Sequence, residues 1–188
     1  MNRKVFLFAF VFIISGMQGL FAQEAFTWHL AVVKDNQGLS FDEAVDMNTG
    51  ESLSIDIYTE KDCYVYLVVE QAGGAMATLF SRQVRAGGVE RLFSGTLSPP
   101  RGQEKFYLVT SYEEQRELQN AINDYKKEKT ERNGLRLQNR LLAVRDPNGE
   151  NPGGPGDFAG SVRSGDETTR GTVYSGASTY TKTILINH

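Results

Sequence analysis

The chain has 188 residues, 40% of them hydrophobic, and carries 20 Lys and Arg against 23 Asp and Glu, a formal net charge of −3. That supplies one ordinary domain with a core of its own, and the mildly acidic balance excludes the basic footprint of a nucleic-acid binder or a polybasic surface for anionic lipid. Cys63 is the single cysteine, which excludes an internal disulfide and leaves stability to burial.

Arg3 and Lys4 open the chain, an apolar run extends from Val5 to Ile14, and Ser15 and Gly16 close it before Gln23. This is the layout of a secretory signal, expected over residues 1–22 with cleavage after Ala22; Leu20 stands where a small residue is preferred. Gly16, Gln18 and Gly19 interrupt the run short of the roughly 20 apolar residues a spanning helix needs. No cysteine lies near the cut, which argues against a lipid anchor. The expected product is a periplasmic or secreted protein with no stable membrane insertion.

Phe26 to Val33 is apolar and favours strand, ending at the turn-rich Asp35-Asn36-Gln37-Gly38. Residues 39–50 have no clear period and finish on Asn48-Thr49-Gly50. Alternation then becomes clean, with Leu53, Ile55 and Ile57 on one face and Ser52, Ser54, Asp56 and Tyr58 on the other, the signature of a half-buried strand. Cys63 to Val69 is apolar on both faces, as in a central strand. Ala72-Gly73-Gly74 turns it into Met76 to Phe80, a hairpin. Val89 to Phe93 and Lys105 to Thr110 are further strands, separated by the Ser98-Pro99-Pro100-Arg101-Gly102 loop.

The character changes at Ser111. Ser111-Tyr112-Glu113-Glu114 fits a capping box, and Leu118, Ala121, Ile122 and Tyr125 recur at helical spacing. Gly134 is expected to break this helix, and Leu135 to Val144 to form a second, short one. Residues 146–171 are rich in Gly, Pro, Ser and Asp and are expected to be a mobile loop. Thr179 to Ile186 closes the chain as a strand docking onto the sheet built by residues 26–110. The predicted architecture is one mostly β domain over residues 23–188: an immunoglobulin-like β-sandwich of about seven strands with a helical insertion at 112–145 before the last strand.

Few residues offer chemistry. His29 and His188 are the two histidines; His188 ends the chain, and period two puts His29 on the face opposite Trp28. A Cys63/His29 nucleophile pair is conceivable but has no local support, and Cys63 inside a strand reads as a buried thiol. No glycine elbow surrounds a serine, and no helical His pair with a glutamate occurs, so no catalytic residue is assigned. One Cys and two His make no zinc cluster. Asp146-Pro147-Asn148-Gly149-Glu150 with Asp157 loosely resembles a calcium loop, but Asn151 stands where that loop needs glycine. Gly153-Gly154-Pro155-Gly156 lacks the strand, helix and Lys-Ser/Thr of a phosphate cradle. No metal or cofactor is expected. The aromatic residues Tyr58, Tyr64, Tyr66, Phe80, Phe93, Phe106, Tyr107 and Tyr112 divide between core and surface, and an exposed tyrosine row would suit a binding face.

Gly50-Glu51-Ser52-Leu53-Ser54-Ile55, Tyr64-Val65-Tyr66-Leu67, Gly73-Gly74, Leu79-Phe80 and Gly102-Gln103-Glu104 together resemble a bacterial family known as domain of unknown function 4384, over about residues 26–120. Ser81-Arg82 stand where that family often has Pro-Asn. The resemblance implies an exported accessory or sensing module and supplies no catalytic residue. The expected function is a non-enzymatic envelope module that binds another envelope or secreted protein through loops or a sheet edge. The alternatives are an oligomeric structural component pairing through an edge strand and a hydrolase using Cys63.

Overall fold

A computed structural model describes residues 26–35, 37–40, 43–97, 100–144, 156–164, 167–176 and 179–188. The segment read as a secretory signal and residues 146–155, which hold most of the calcium-loop likeness, lie outside the described residues. Among those described, the elements in chain order are β1 (Phe26–Lys34), β2 (Gln37–Leu39), β3 (Val45–Asp46), β4 (Ser52–Thr59), β5 (Cys63–Glu70), β6 (Met76–Val84), β7 (Val89–Thr96), β8 (Gln103–Ser111), α1 (Arg116–Lys127), α2 (Glu131–Val144), β9 (Gly156–Ser164), β10 (Glu167–Gly176) and β11 (Thr179–Asn187). The chain is mostly β.

The strands form two sheets. One has the order β7-β4-β1-β10-β9 with β2 folded back onto β1; the other has the order β3-β11-β8-β5-β6. The sheets share one apolar core. Trp28, Leu30 and Val32 of β1 and Leu53, Ile55 and Ile57 of β4 meet Cys63, Val65 and Leu67 of β5 and Phe106 and Leu108 of β8. The strict alternation of β4 is the cause on one side: its apolar face is buried, and its other face carries Asp56, held by Arg91 of β7 through bonds of 2.8 and 3.1 Å. On the other side β5 lies between β8 and β6. Its residues facing away from this core, Tyr66 and Val68, are covered by the helices, so the run is apolar throughout.

The helices form a third layer. Leu118, Ala121, Ile122 and Tyr125 of α1 and Leu137 and Leu141 of α2 pack on Tyr66, Val68 and Val109. Two expectations about their ends are corrected. Ser111 belongs to β8, and α1 begins after Gln115, which makes no side-chain cap. Gly134 does not break the helix but lies within α2. The break comes earlier, where Glu128 is extended and the Thr130 hydroxyl accepts the Asn133 amide at 3.3 Å, the geometry of a threonine N-cap.

The expectation of a loop over 146–171 fails where that stretch is described. β9 pairs with β10 across residues 156–173, and β10 pairs with β1 from Phe26↔Gly176 to Leu30↔Thr172. Three strands therefore follow the helices, not one. The free edge of β1 supplies ladder partners that local composition cannot reveal, and non-local pairing overrides a weak strand preference. Of the edge strands, β6 and β7 each carry one extra residue. Leu67 and Val68 face Phe80 and Thr78, leaving Leu79 over; Ile55 and Asp56 face Phe93 and Arg91, leaving Leu92 over. Such bulges bend an edge and blunt it against further pairing.

Candidate functional site

The residues that carried chemistry in the sequence are kept apart. Cys63 is fully buried in the inter-sheet core, and burial pushes its thiol up to about 11, far from a reactive thiolate. Trp28 turns inward, its ring 4.6 Å from that of Tyr180. His29 turns the other way, its ring 5.3 Å from that of Tyr58, and burial lowers its pKa against the opposing charge of Glu60. A Cys63/His29 pair therefore does not form. His188 does not fray: its backbone exchanges hydrogen bonds of 2.7 and 2.9 Å with Gly102, and its Nε2 lies 3.6 Å from Glu104 Oε1. Among the described residues no group of three or more His, Cys, Asp or Glu could hold a metal ion.

The aromatic row is mostly spent on packing. Phe80 and Phe106 fill the core, with Phe93 5.8 Å from Phe106. Tyr64, Tyr66 and Tyr107 lie beneath the helices. Tyr66 is the most informative: the Gln115 backbone N–H donates to its hydroxyl at 3.0 Å, and burial raises its pKa. Tyr107 donates to Glu70 Oε2 at 2.7 Å, and Gln138 of α2 donates to the same oxygen at 3.2 Å. Lys105 completes this cluster at 3.2 Å from the other oxygen. These bonds fasten both helices to the sheet, so the solvent-facing surface of this side belongs to the helices.

Three depressions border α2. A cleft of about 860 Å³ opens where the start of α1 and the end of α2 meet β5, with Tyr64, Leu118 and Val144 among its lining residues and Glu113 and Glu114 at the α1 side. An open depression of about 610 Å³ lies on α2 itself, lined by Glu131, Arg132, Leu135, Arg136, Asn139 and Arg140. A third depression of about 390 Å³ lies between the β5–β6 turn at Gly73 and Gly74 and the start of α2 at Thr130 and Gly134. Arg140 lines the first two, and Leu135 lines the last two. The first and third lie where α2 meets its neighbours, and the second is lined by residues of α2 alone.

Leu135 is 53% exposed and Leu142 47%, the two exposed large hydrophobic side chains among the described residues. They stand seven residues apart and so share a face, opposite the buried Leu137 and Leu141. Around them the charges are ordered. Arg136 binds Asp124 at 2.7 Å and Arg140 binds Glu117 at 2.6 Å, while Arg132 has no acidic partner among the described residues. Among the described residues these depressions hold no nucleophile–base pair; around Leu135 there is apolar contact beside three guanidinium groups and the Glu131 carboxylate. Leu135 to Val144 holds four leucines. Separating them by a 3.6-residue period gives two faces, and that split was the available signal. Comparison of the chain with models of known protein families, with curated proteins and with solved structures returns no match.

Proposed function

We propose that this protein is an exported, non-enzymatic module of the bacterial cell envelope that binds another envelope or secreted protein, and that the outward face of α2 is the contact surface. The observation that carries the reading is the pair Leu135 and Leu142, half exposed on one face of α2 while the rest of that helix's leucines are buried. Tyrosines 64, 66 and 107 support the layer that presents this face. Export is read from residues 1–22, and an accessory role from the resemblance to domain of unknown function 4384.

An immunoglobulin-like core is the finer form of this proposal. Setting aside β2, β3, β9 and β10, the remaining strands run β7-β4-β1 in one sheet and β11-β8-β5-β6 in the other, an order compatible with that topology. Self-assembly through β6 or β7 is less well supported, because both are bulged. A hydrolase using Cys63 is less well supported still, since the thiol is buried away from His29.

The test uses the purified protein as bait in envelope extract, compared with a Leu135→Ser/Leu142→Ser variant whose circular dichroism and melting are unchanged. A species retained by the native protein and lost by the variant is expected. Equal retention by both, or none by either, would defeat the proposal.

A further inference from the structure

Ala31 and Val33 of β1 point away from the core that the two sheets share, as their alternation with Leu30 and Val32 requires, yet they are only 1% and 8% exposed. They form a small apolar cluster of their own, with Val89 of β7 packed against it. Asp56, the register partner of Ala31, is buried on the same face beside Arg91. The helices do not cover this face, because they pack on Tyr66, Val68 and Val109 of the other sheet. Among the described elements β9 does. It pairs with β10 alone, but its backbone comes within 8 Å, between Cα atoms, of both β1 and β7. In a flat sheet two strand spacings would hold it about 9.5 Å from β1 and twice as far from β7, so β9 folds back across the outward face.

We infer that the outer half of this ribbon, residues 160–164 of β9 with 167–171 of β10, is a strap that opens over Ala31 and Val33 while the sandwich beneath stays folded. The inference is independent of any role for α2. The ladder provides the hinge. β10 pairs with β1 only from Phe26 to Leu30, because from Val32 to Lys34 that edge of β1 is taken by β2. Just there the register between β10 and β9 slips, between Gly171 and Val173, and a glycine at the slip gives the backbone freedom to swing. The strand pairing of the outer half is internal, so opening breaks no ladder: its own pairs and those of β10 with β1 both survive. Opening also uncovers little. The seal on the sheet side is Ala31, Val33 and Val89, whereas unfolding would expose Trp28, Leu30, Ile55 and the rest of the inter-sheet core. Local opening is favoured where few apolar contacts are lost. When open, the strap leaves a short apolar strip beside the Asp56–Arg91 pair facing solvent.

The experiment is thiol labelling of a Val33→Cys variant at pH 8, with the native Cys63 as an internal reporter of global unfolding and the two sites separated by peptide mass spectrometry. Position 33 should label at least about tenfold faster than Cys63, at a rate that changes little in low urea, because local opening exposes little surface. It should also label at least about tenfold more slowly than in the urea-unfolded chain, because the strap is closed most of the time. Cys63 should follow the urea dependence of unfolding. Amide exchange of the native chain gives a second reading that needs no substitution: residues 160–171 should be protected and should lose that protection as one group, ahead of β4 and β5. Labelling of position 33 at the rate and urea dependence of Cys63, or exchange of residues 160–171 together with β4 and β5, would show that the ribbon opens only when the whole domain unfolds and would overturn the inference. Labelling as fast as in the unfolded chain, or residues 160–171 without protection, would show that nothing closes over Val33 and would overturn it equally.

Discussion

The hydroxyl of Tyr66, in the middle of the buried strand β5, accepts the backbone N–H of Gln115 at the start of α1, at 3.0 Å. A capping box would satisfy this N–H from within the helix. Here a side chain 49 residues away in sequence does so, and the helix start is thereby fixed to the sheet.

Tyr66→Phe keeps the ring and removes only the acceptor. The amide left without its partner should lower stability by about 1–3 kcal/mol. Urea unfolding followed by circular dichroism measures the loss, and amide exchange should quicken first at Gln115 and the opening turn of α1. An unchanged midpoint would show that water replaces the phenol without penalty.

This bond also shows why part of the architecture was legible and part was not. β4 and β5 could be read from single stretches, because Leu53, Ile55 and Ile57 alternate and Cys63 to Val69 is apolar throughout; burial alone dictates both patterns. The start of α1 could not be read, because Ser111 offers the same local pattern while Tyr66 supplies the acceptor from another element. β9 and β10 were missed for a similar reason: their pairing depends on the edge of β1, and Gly171 or Gly176 carries no strand signal. Thr130, by contrast, is a local cap signal, and Gly134 is carried inside the helix that it opens. The candidate site was half legible. The helix that carries it is legible from Leu135 to Val144, but the exposure of Leu135 and Leu142 depends on which face of α2 meets the sheet.

Cys63 should behave as a core residue. With its thiol pushed up to about 11 by burial and no surface exposed, a thiol-reactive dye at pH 8 should leave the native protein unmodified and label it at the rate of unfolding in urea. Fast labelling of folded protein would reopen a chemical role for this sulfur. Cys63→Ala should lower stability by about 1–2 kcal/mol, the scale expected for removing a small buried group.

Two carboxyl groups make the fold sensitive to acid. Lys34 and Asn48 hold Glu51 down to about 2, with Lys34 Nζ 2.6 Å from its carboxylate. Burial pushes the Glu70 carboxyl up, but Tyr107, Lys105 and Gln138 outweigh it and its pKa is lowered. Both folded values lie below the unfolded value of about 4.3, so the unfolded chain binds more protons in acid. The stabilisation is complete above that value and is lost as pH falls from it toward about 2. Melting temperature should therefore hold between pH 7 and 5 and drop below pH 4. Glu51→Gln should flatten the lowest part of that profile, and an identical profile for the variant would remove Glu51 from the account.

Gly134 tests how α2 is seated. It occupies a helical position where glycine is less favourable than alanine by about 0.8–1.0 kcal/mol. A Cβ added there would meet one neighbour within 4 Å, Tyr125 Cε2 at 3.4 Å, a ring edge that ordinary side-chain adjustment can accommodate. Gly134→Ala should raise stability by up to about 1 kcal/mol, equivalent to about 2–4 °C in melting temperature for a chain of this size. Because Leu135 follows directly, a firmer start of α2 should also hold the exposed leucine face in place, so the variant should capture the same species from envelope extract at least as well as the native protein. A fall in stability would mean that Tyr125 cannot yield, and that α1 and α2 are packed at this point more tightly than the 3.4 Å approach requires.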